Sequence, residues 1–146
     1  MNILISIRST ILKGIFFILL YINLAVLTFA EVKNIDNQKL QLFISKGVTL
    51  VDIREEHEWR ETGIIRESHL ITFFDSEGKY DVEKWLKEIE RIVKRDDPLI
   101  IICRSGRRSL IVANYLSKTE KFLEVYNAEF GIKGWKKSSL ETQIFR

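Results

Sequence analysis

Apolar positions along this chain switch between helical and strand spacing several times. Over 36–47, Leu40, Phe43 and Ile44 fall on one helical face, Asp36 is placed as N-cap, and Gly47 stands where the helix would stop. Ile35 and Leu40 have the spacing of a hydrophobic staple around that start. Residues 48–53 form a short, largely apolar run that turns polar at Asp52 and Arg54, the pattern of a buried strand leading into a loop. A short amphipathic helix is expected over 56–60, stopping at Thr62 and Gly63, then a weaker strand over 68–74 and a turn at 75–78. The clearest helical signal lies over 81–94, where Val82, Trp85, Leu86, Ile89, Ile92 and Val93 recur at i, i+3 and i+4. Residues 98–103 are apolar without interruption, too apolar for a half-exposed strand, and are expected mid-sheet with both faces covered. The pattern breaks over 104–109, resumes as a helix over 110–116, and reaches a last strand over 123–126 before 131–136. This alternation predicts one α/β domain over 31–146, with a mainly parallel central sheet flanked by helices.

The first thirty positions follow another rule. Arg8 and Lys13 precede an apolar stretch over 14–29, and Thr28 and Ala30 place small residues three and one before a cut after Ala30. This is the layout of a secretory signal over 1–30. An uncleaved anchor is the alternative, since the stretch falls near the short limit of the roughly 20 residues a spanning helix needs. Either way the positive flank stays cytoplasmic, and 31–146 is expected outside the cytoplasm, most simply in a bacterial periplasm. Contact with a membrane is expected only through the N-terminal segment, if it is retained.

Charge and cysteine content then narrow the function. The formal charge is +3, but setting aside Arg8 and Lys13 leaves a nearly neutral body, with no basic run for a nucleic-acid backbone. The one cysteine, Cys103, cannot form an internal disulfide or a cysteine-based zinc site. His57 and His69 have no second ligand at metal spacing, so packing or surface roles are expected for both. No metal or organic cofactor is implied.

Cys103 closes the most apolar strand, and ligands of open parallel sheets bind beyond the carboxyl ends of the strands. The segment Cys103-Arg104-Ser105-Gly106-Arg107-Arg108-Ser109 runs directly into a helix. Gly106 relieves steric restriction there, so the backbone N–H groups can converge on what the cysteine holds, at a helix start that favours anions. Arg104, Arg107 and Arg108 add cations that favour a thiolate and suit a dianionic donor. Among Glu55, Glu56, Glu58 and Glu61, an acidic cluster of the kind that is usually solvated, Glu58 is the candidate anchor for Arg108.

The loop resembles the active-site loop of rhodanese domains, which has the form C-x-x-G-x-R-S. Three other segments agree with that family in order: Val51-Asp52-Ile53-Arg54, then Glu58-Trp59 with Gly63-Ile64-Ile65, then Val125-Tyr126-Asn127 with Gly131-Ile132 and Trp135. The resemblance implies a sulfurtransferase that holds sulfur as a persulfide on Cys103, with the loop from Arg104 to Ser109 around it. It also implies Asp52 and Arg54 as supports of the loop from the adjacent strand. The expected partners are a small sulfur donor such as thiosulfate and a thiophilic acceptor, or a protein acceptor if the chain acts as a persulfide carrier. The chain departs from the family pattern at Ile64, Glu67, Ser68, Ala128 and Phe130, which bears on the choice of acceptor. Phosphatases and arsenate reductases on related folds use a C-x5-R loop. Here the arginine arrives one position earlier, at Arg108, which makes a smaller cradle and favours sulfur over a tetrahedral oxyanion.

Overall fold

The uninterrupted apolar run resolves into strand β4, Leu99–Ile102, whose residues are buried without exception. The computed structural model describes residues 31–146, so the leader expected over 1–30 lies outside the described residues. Side chains alternate across β4. Leu99, Ile101 and Cys103 enter one apolar cluster, while Ile100 and Ile102 enter the other. A strand covered on both faces belongs in the middle of a parallel sheet, and β4 is the third of five strands.

Four further strands complete the sheet among the described residues: β1 (Lys33–Ile35), β2 (Thr49–Asp52), β3 (Ser68–Leu70) and β5 (Val125–Ala128). Their order is β1-β5-β4-β2-β3, and every pairing is parallel. Five helices connect and cover them: α1 (Asn37–Ser45), α2 (Glu56–Thr62), α3 (Val82–Ile89), α4 (Arg107–Lys118) and α5 (Gly131–Lys137). Trp85 and Ile89 of α3 pack with Val112, Ala113 and Leu116 of α4 on one face of the sheet. Leu40 of α1 packs with Ile132 and Trp135 of α5 on the other. The α/β class and the parallel sheet are as expected.

Local signals set several ends. The Asp36 side chain accepts the Lys39 N–H at 2.8 Å, so α1 starts on the cap read from the sequence, with Ile35 and Leu40 both buried beside it. Gly47 and Gly63 follow α1 and α2 with φ of 75° and 76°, conformations that side chains with a Cβ resist.

Five expectations change. Helix α3 ends at Ile89 and does not reach 94: Arg91 and Ile92 donate to carbonyls three residues back, so the chain tightens into a turn. Val93 is buried all the same, which is why its apolar character looked helical. Helix α4 starts at Arg107, three residues before its expected start, because Gly106 takes the N-cap position with a φ of 86°. Strand β3 stops at Leu70; Ile71 and Phe73 still donate to the carbonyls of Asp52 and Ile53, but at irregular spacing. Strand β5 is displaced from 123–126 to Val125–Ala128, since Phe122 fills the core while Leu123 points to solvent. Strand β1 was not anticipated; three residues with one buried side chain carry too little periodicity to be read.

Candidate active site

The site grows from the carboxyl end of β4, where Cys103 follows Ile102 and the chain turns into α4. Cys103 is 1% exposed. Its Sγ lies 3.3 Å from the hydroxyl of Ser109, in the first turn of α4. The hydroxyl also donates to Asn127 Oδ1 at 2.6 Å, and Asn127 Nδ2 donates to Asn34 Oδ1 at 2.8 Å. A polar chain therefore runs from the sulfur across β5 to β1. Asn127 is 2% exposed, and among the described residues its side chain is satisfied by these partners on neighbouring elements alone. It is a site residue that the sequence reading did not single out. The available signal was an asparagine inside a strand that is buried on all four residues.

Two glycines fix the loop from outside. A Cβ on Gly106 would stand 1.9 Å from the Glu129 carbonyl oxygen, and one on Gly131 would stand 2.4 Å from the Cys103 carbonyl oxygen. Both obstacles are backbone and cannot swing aside. The start of α5 thus sits directly against the loop, with Ile132 N–H donating to Cys103 O at 2.9 Å and Lys133 N–H to Arg104 O at 3.0 Å. In a trans peptide the carbonyl and the following N–H point in opposite directions, so the N–H groups of Arg104 and Ser105 face away from α5. No acceptor among the described residues takes the N–H groups of 104–108, and α4 leaves the first of its own amides free by geometry. The result is a set of unengaged donors at the N-terminus of a twelve-residue helix, beside a buried sulfur.

The charged residues divide by burial. Arg108 is half-buried and its Nη2 donates to Glu58 Oε1 at 2.7 Å. Its positive charge is held first by Glu58, against the cost of burial, and further by Cys103 beside it. Arg104 comes no nearer than 3.9 Å to Glu61, and Arg107 is exposed without an ion pair among the described residues. The three loop arginines are therefore not equivalent: one is built into the site and two are solvated.

Asp52 and Arg54 stand behind this arrangement and, among the described residues, make no hydrogen bond to the loop. Arg54 is 0% exposed and Asp52 1%, and the guanidinium meets the carboxylate through Nε at 2.9 Å and Nη2 at 2.6 Å. Its other bonds reach Glu58 O, Thr62 Oγ1 and Gly63 O, so Arg54 holds the middle and the C-terminal end of α2. That helix in turn presents Glu58 to Arg108. The support expected from Asp52 and Arg54 acts through α2, not on the loop backbone.

Glu58 is 5% exposed. Burial by itself raises its carboxyl, but the Arg108 hydrogen bond, the Glu55 N–H at 3.2 Å and the charges of Arg108 and Arg54 together hold it below the usual glutamate range. Such a carboxylate stabilises the fold fully above its unfolded value and loses that contribution as pH falls through the folded value. Wild type is therefore expected to lose stability on acidification below the ordinary glutamate range, and Glu58→Gln to start less stable and fall less steeply. Thermal unfolding at stepped pH measures this; parallel acid branches would remove Glu58 from the explanation.

A model of the rhodanese-like domain matches residues 32–138 of this chain. The thiosulfate sulfurtransferase GlpE of Actinobacillus pleuropneumoniae is 29% identical over 113 residues, covering 77% of this chain and 92% of that protein. An uncharacterized protein of Rickettsia prowazekii is 30% identical over 124 residues, covering 77% of this chain and 98% of its own length. Among solved structures, a rhodanese-related protein from Thermoplasma volcanium aligns with a TM-score of 0.57 at 26% identity, over 77% of this chain and 99% of that one.

Proposed function

The chain belongs to the rhodanese-like family, and from that premise we propose that it is a sulfurtransferase that takes sulfane sulfur from thiosulfate onto Cys103 and passes it to a thiophilic acceptor. The observation that carries the proposal is the buried Cys103 sulfur beside the unengaged N–H groups of the loop, at the start of α4. The Cys103 thiolate attacks the outer sulfur of thiosulfate. A bond forms between the two sulfurs, the original sulfur–sulfur bond breaks, and sulfite leaves with its electron pair. The persulfide left on Cys103 is itself an anion, and the unengaged N–H donors of the loop suit it. An acceptor nucleophile then takes the outer sulfur and Cys103 returns as thiolate, which gives ping-pong kinetics. No oxidant enters either half. The similarity to GlpE supports thiosulfate as the donor, and the one-residue-shorter approach to Arg108 supports sulfur over a tetrahedral oxyanion.

The direct test is a single turnover. Thiosulfate should add the mass of one sulfur atom to the protein and release sulfite, and cyanide should then remove that sulfur as thiocyanate. Loading without turnover on any small acceptor would favour a persulfide carrier for a protein partner. No loading from thiosulfate or polysulfide would sink the reading.

The exposed arginines should contribute through charge alone. An exposed cation that meets a dianion across solvent is worth about 0.2–1 kcal/mol at low salt. Arg104→Ala and Arg107→Ala are each expected to lower kcat/KM for thiosulfate by a few-fold at low ionic strength, and by less at high ionic strength. Kinetics at two salt concentrations decide this; a loss independent of salt would point to a structural role.

A further inference from the structure

The polar chain from Cys103 to β1 has fewer protons than its contacts could use. A hydroxyl donates one proton and accepts through its lone pairs, whereas an amide oxygen only accepts. Ser109 Oγ lies 2.6 Å from Asn127 Oδ1 and 3.3 Å from Cys103 Sγ, so its single proton goes to Asn127 and a lone pair turns to the sulfur. That polarity suits a thiol, whose S–H donates to Ser109, and opposes negative charge on Sγ. At the far end Asn127 Nδ2 donates to Asn34 Oδ1 at 2.8 Å, and the two asparagines stand in register on β5 and β1.

A second polarity fits the same heavy atoms, because a carboxamide turned end for end exchanges oxygen and nitrogen at nearly equal size. With both asparagines turned, Asn34 Nδ2 donates to Asn127 Oδ1, Asn127 Nδ2 donates to Ser109 Oγ, and the Ser109 proton points to Sγ. Asn127 is 2% exposed and Ser109 0%, so the two must exchange partners within the chain. Asn34 is exposed on the edge strand and can turn in solvent.

We infer that Asn127 and Asn34 are positioning residues that set the direction in which Ser109 donates, an assignment that rests on Cys103 carrying a persulfide. Loading moves charge off Sγ: the outer sulfur of thiosulfate bonds to it, sulfite leaves with the electron pair of the broken bond, and the charge then sits on the outer sulfur. Discharge returns the charge, since the acceptor bonds to the outer sulfur and the electron pair of the broken bond stays on Sγ. A donor aimed at Sγ therefore favours the unloaded thiolate over the persulfide and assists discharge. The charged groups around Cys103 are Arg108 on α4 with Glu58 of α2 behind it, the paired Asp52 and Arg54 at the end of β2, and the exposed Arg104 and Arg107. Among the described residues none of these hydrogen-bonds Asn127 or Asn34, so the chain acts apart from them.

Asn34→Asp tests this from the surface. A carboxylate only accepts, so it holds Asn127 Nδ2 toward position 34 and the Ser109 proton away from Sγ. Full-length protein is equilibrated at a fixed ratio of thiosulfate to sulfite, above the pH midpoint of Cys103 alkylation, and the persulfide fraction is read from intact mass. Salt at about 1 M confines exposed charges to about 3 Å. The ratio of persulfide to thiolate should rise about two- to tenfold in Asn34→Asp, the range of one hydrogen bond. Asn34→Ala, which leaves Asn127 able to turn, should change it less than about twofold. In a Ser109→Ala background the effect of Asn34→Asp should vanish, because no hydroxyl is left to direct. An unchanged ratio in Asn34→Asp, an equal rise in Asn34→Ala, or the same rise with and without Ser109 overturns the assignment. A wild-type protein that gains no sulfur on Cys103 fails the sulfurtransferase reading instead. The alkylation midpoint, which Asn34→Asp should raise only while Ser109 is present, then decides the role of the two asparagines by itself.

Discussion

Cys103→Ser is expected to fold as wild type does and to transfer no sulfur at all. The substitution replaces one small group with another at a site that is 1% exposed, and the new hydroxyl can still meet Ser109, so the packing of β4 against α4 survives. The chemistry does not survive, because a serine hydroxyl is not ionised near neutrality and forms no bond to sulfane sulfur under these conditions. The stability change should stay within about 1–2 kcal/mol, in the range of ordinary single substitutions. Three measurements suffice: denaturant unfolding, the mass gained from thiosulfate, and sulfite release. Sulfite release by the variant at a rate comparable to wild type would end the persulfide mechanism, whatever the fold does.

The largest loss of stability is expected from Asp52→Ala. Arg54 is 0% exposed, and Asp52 is its only carboxylate partner at hydrogen-bond distance among the described residues. Removing one member of a buried pair leaves an uncompensated charge and costs about 3–5 kcal/mol. The loss should reach the site by a defined route: Arg54 loses its orientation, its bonds to Glu58 O, Thr62 and Gly63 loosen, and the carboxylate of Glu58 drifts from Arg108. Urea unfolding should show the drop, and Asp52→Ala/Arg54→Met should recover part of it by removing the stranded charge. A single variant within about 1 kcal/mol of wild type would show that the pair is dispensable.

How far the sequence could be read follows from the range of each interaction. The order of elements from α1 onward, the central position of β4 and the caps at Asp36 and Gly63 depend on residues a few positions apart, and periodicity and turn chemistry report them. The nucleophile and its loop were legible for the same reason, since Cys103, Gly106 and Arg108 are contiguous. The Glu58–Arg108 pair spans 50 positions and could be named only as a candidate. Asn127 and Gly131 went unassigned because their roles depend on what faces them across the fold: a serine hydroxyl on α4 in one case and the loop backbone in the other. The overextended helix at 81–94 has a different cause. Ile92 and Val93 are apolar because the core needs them, and a core can recruit residues from a turn as well as from a helix.

The pinning of the loop by two glycines separates its shape from its surface chemistry. Gly106 meets the carbonyl of Glu129, and Gly131 meets the carbonyl of Cys103, so the outline of the socket is a property of backbone against backbone. Arg104, Ser105 and Arg107 are exposed, and where Gly131 approaches Arg104 and Ser105 it meets their backbone and not their side chains. The socket therefore behaves as a fixed mould with interchangeable edging, one that an engineer could recolour. Acidic, neutral or aromatic side chains at these three positions would redirect which sulfur compounds approach, while the mould that receives the sulfur atom keeps its form.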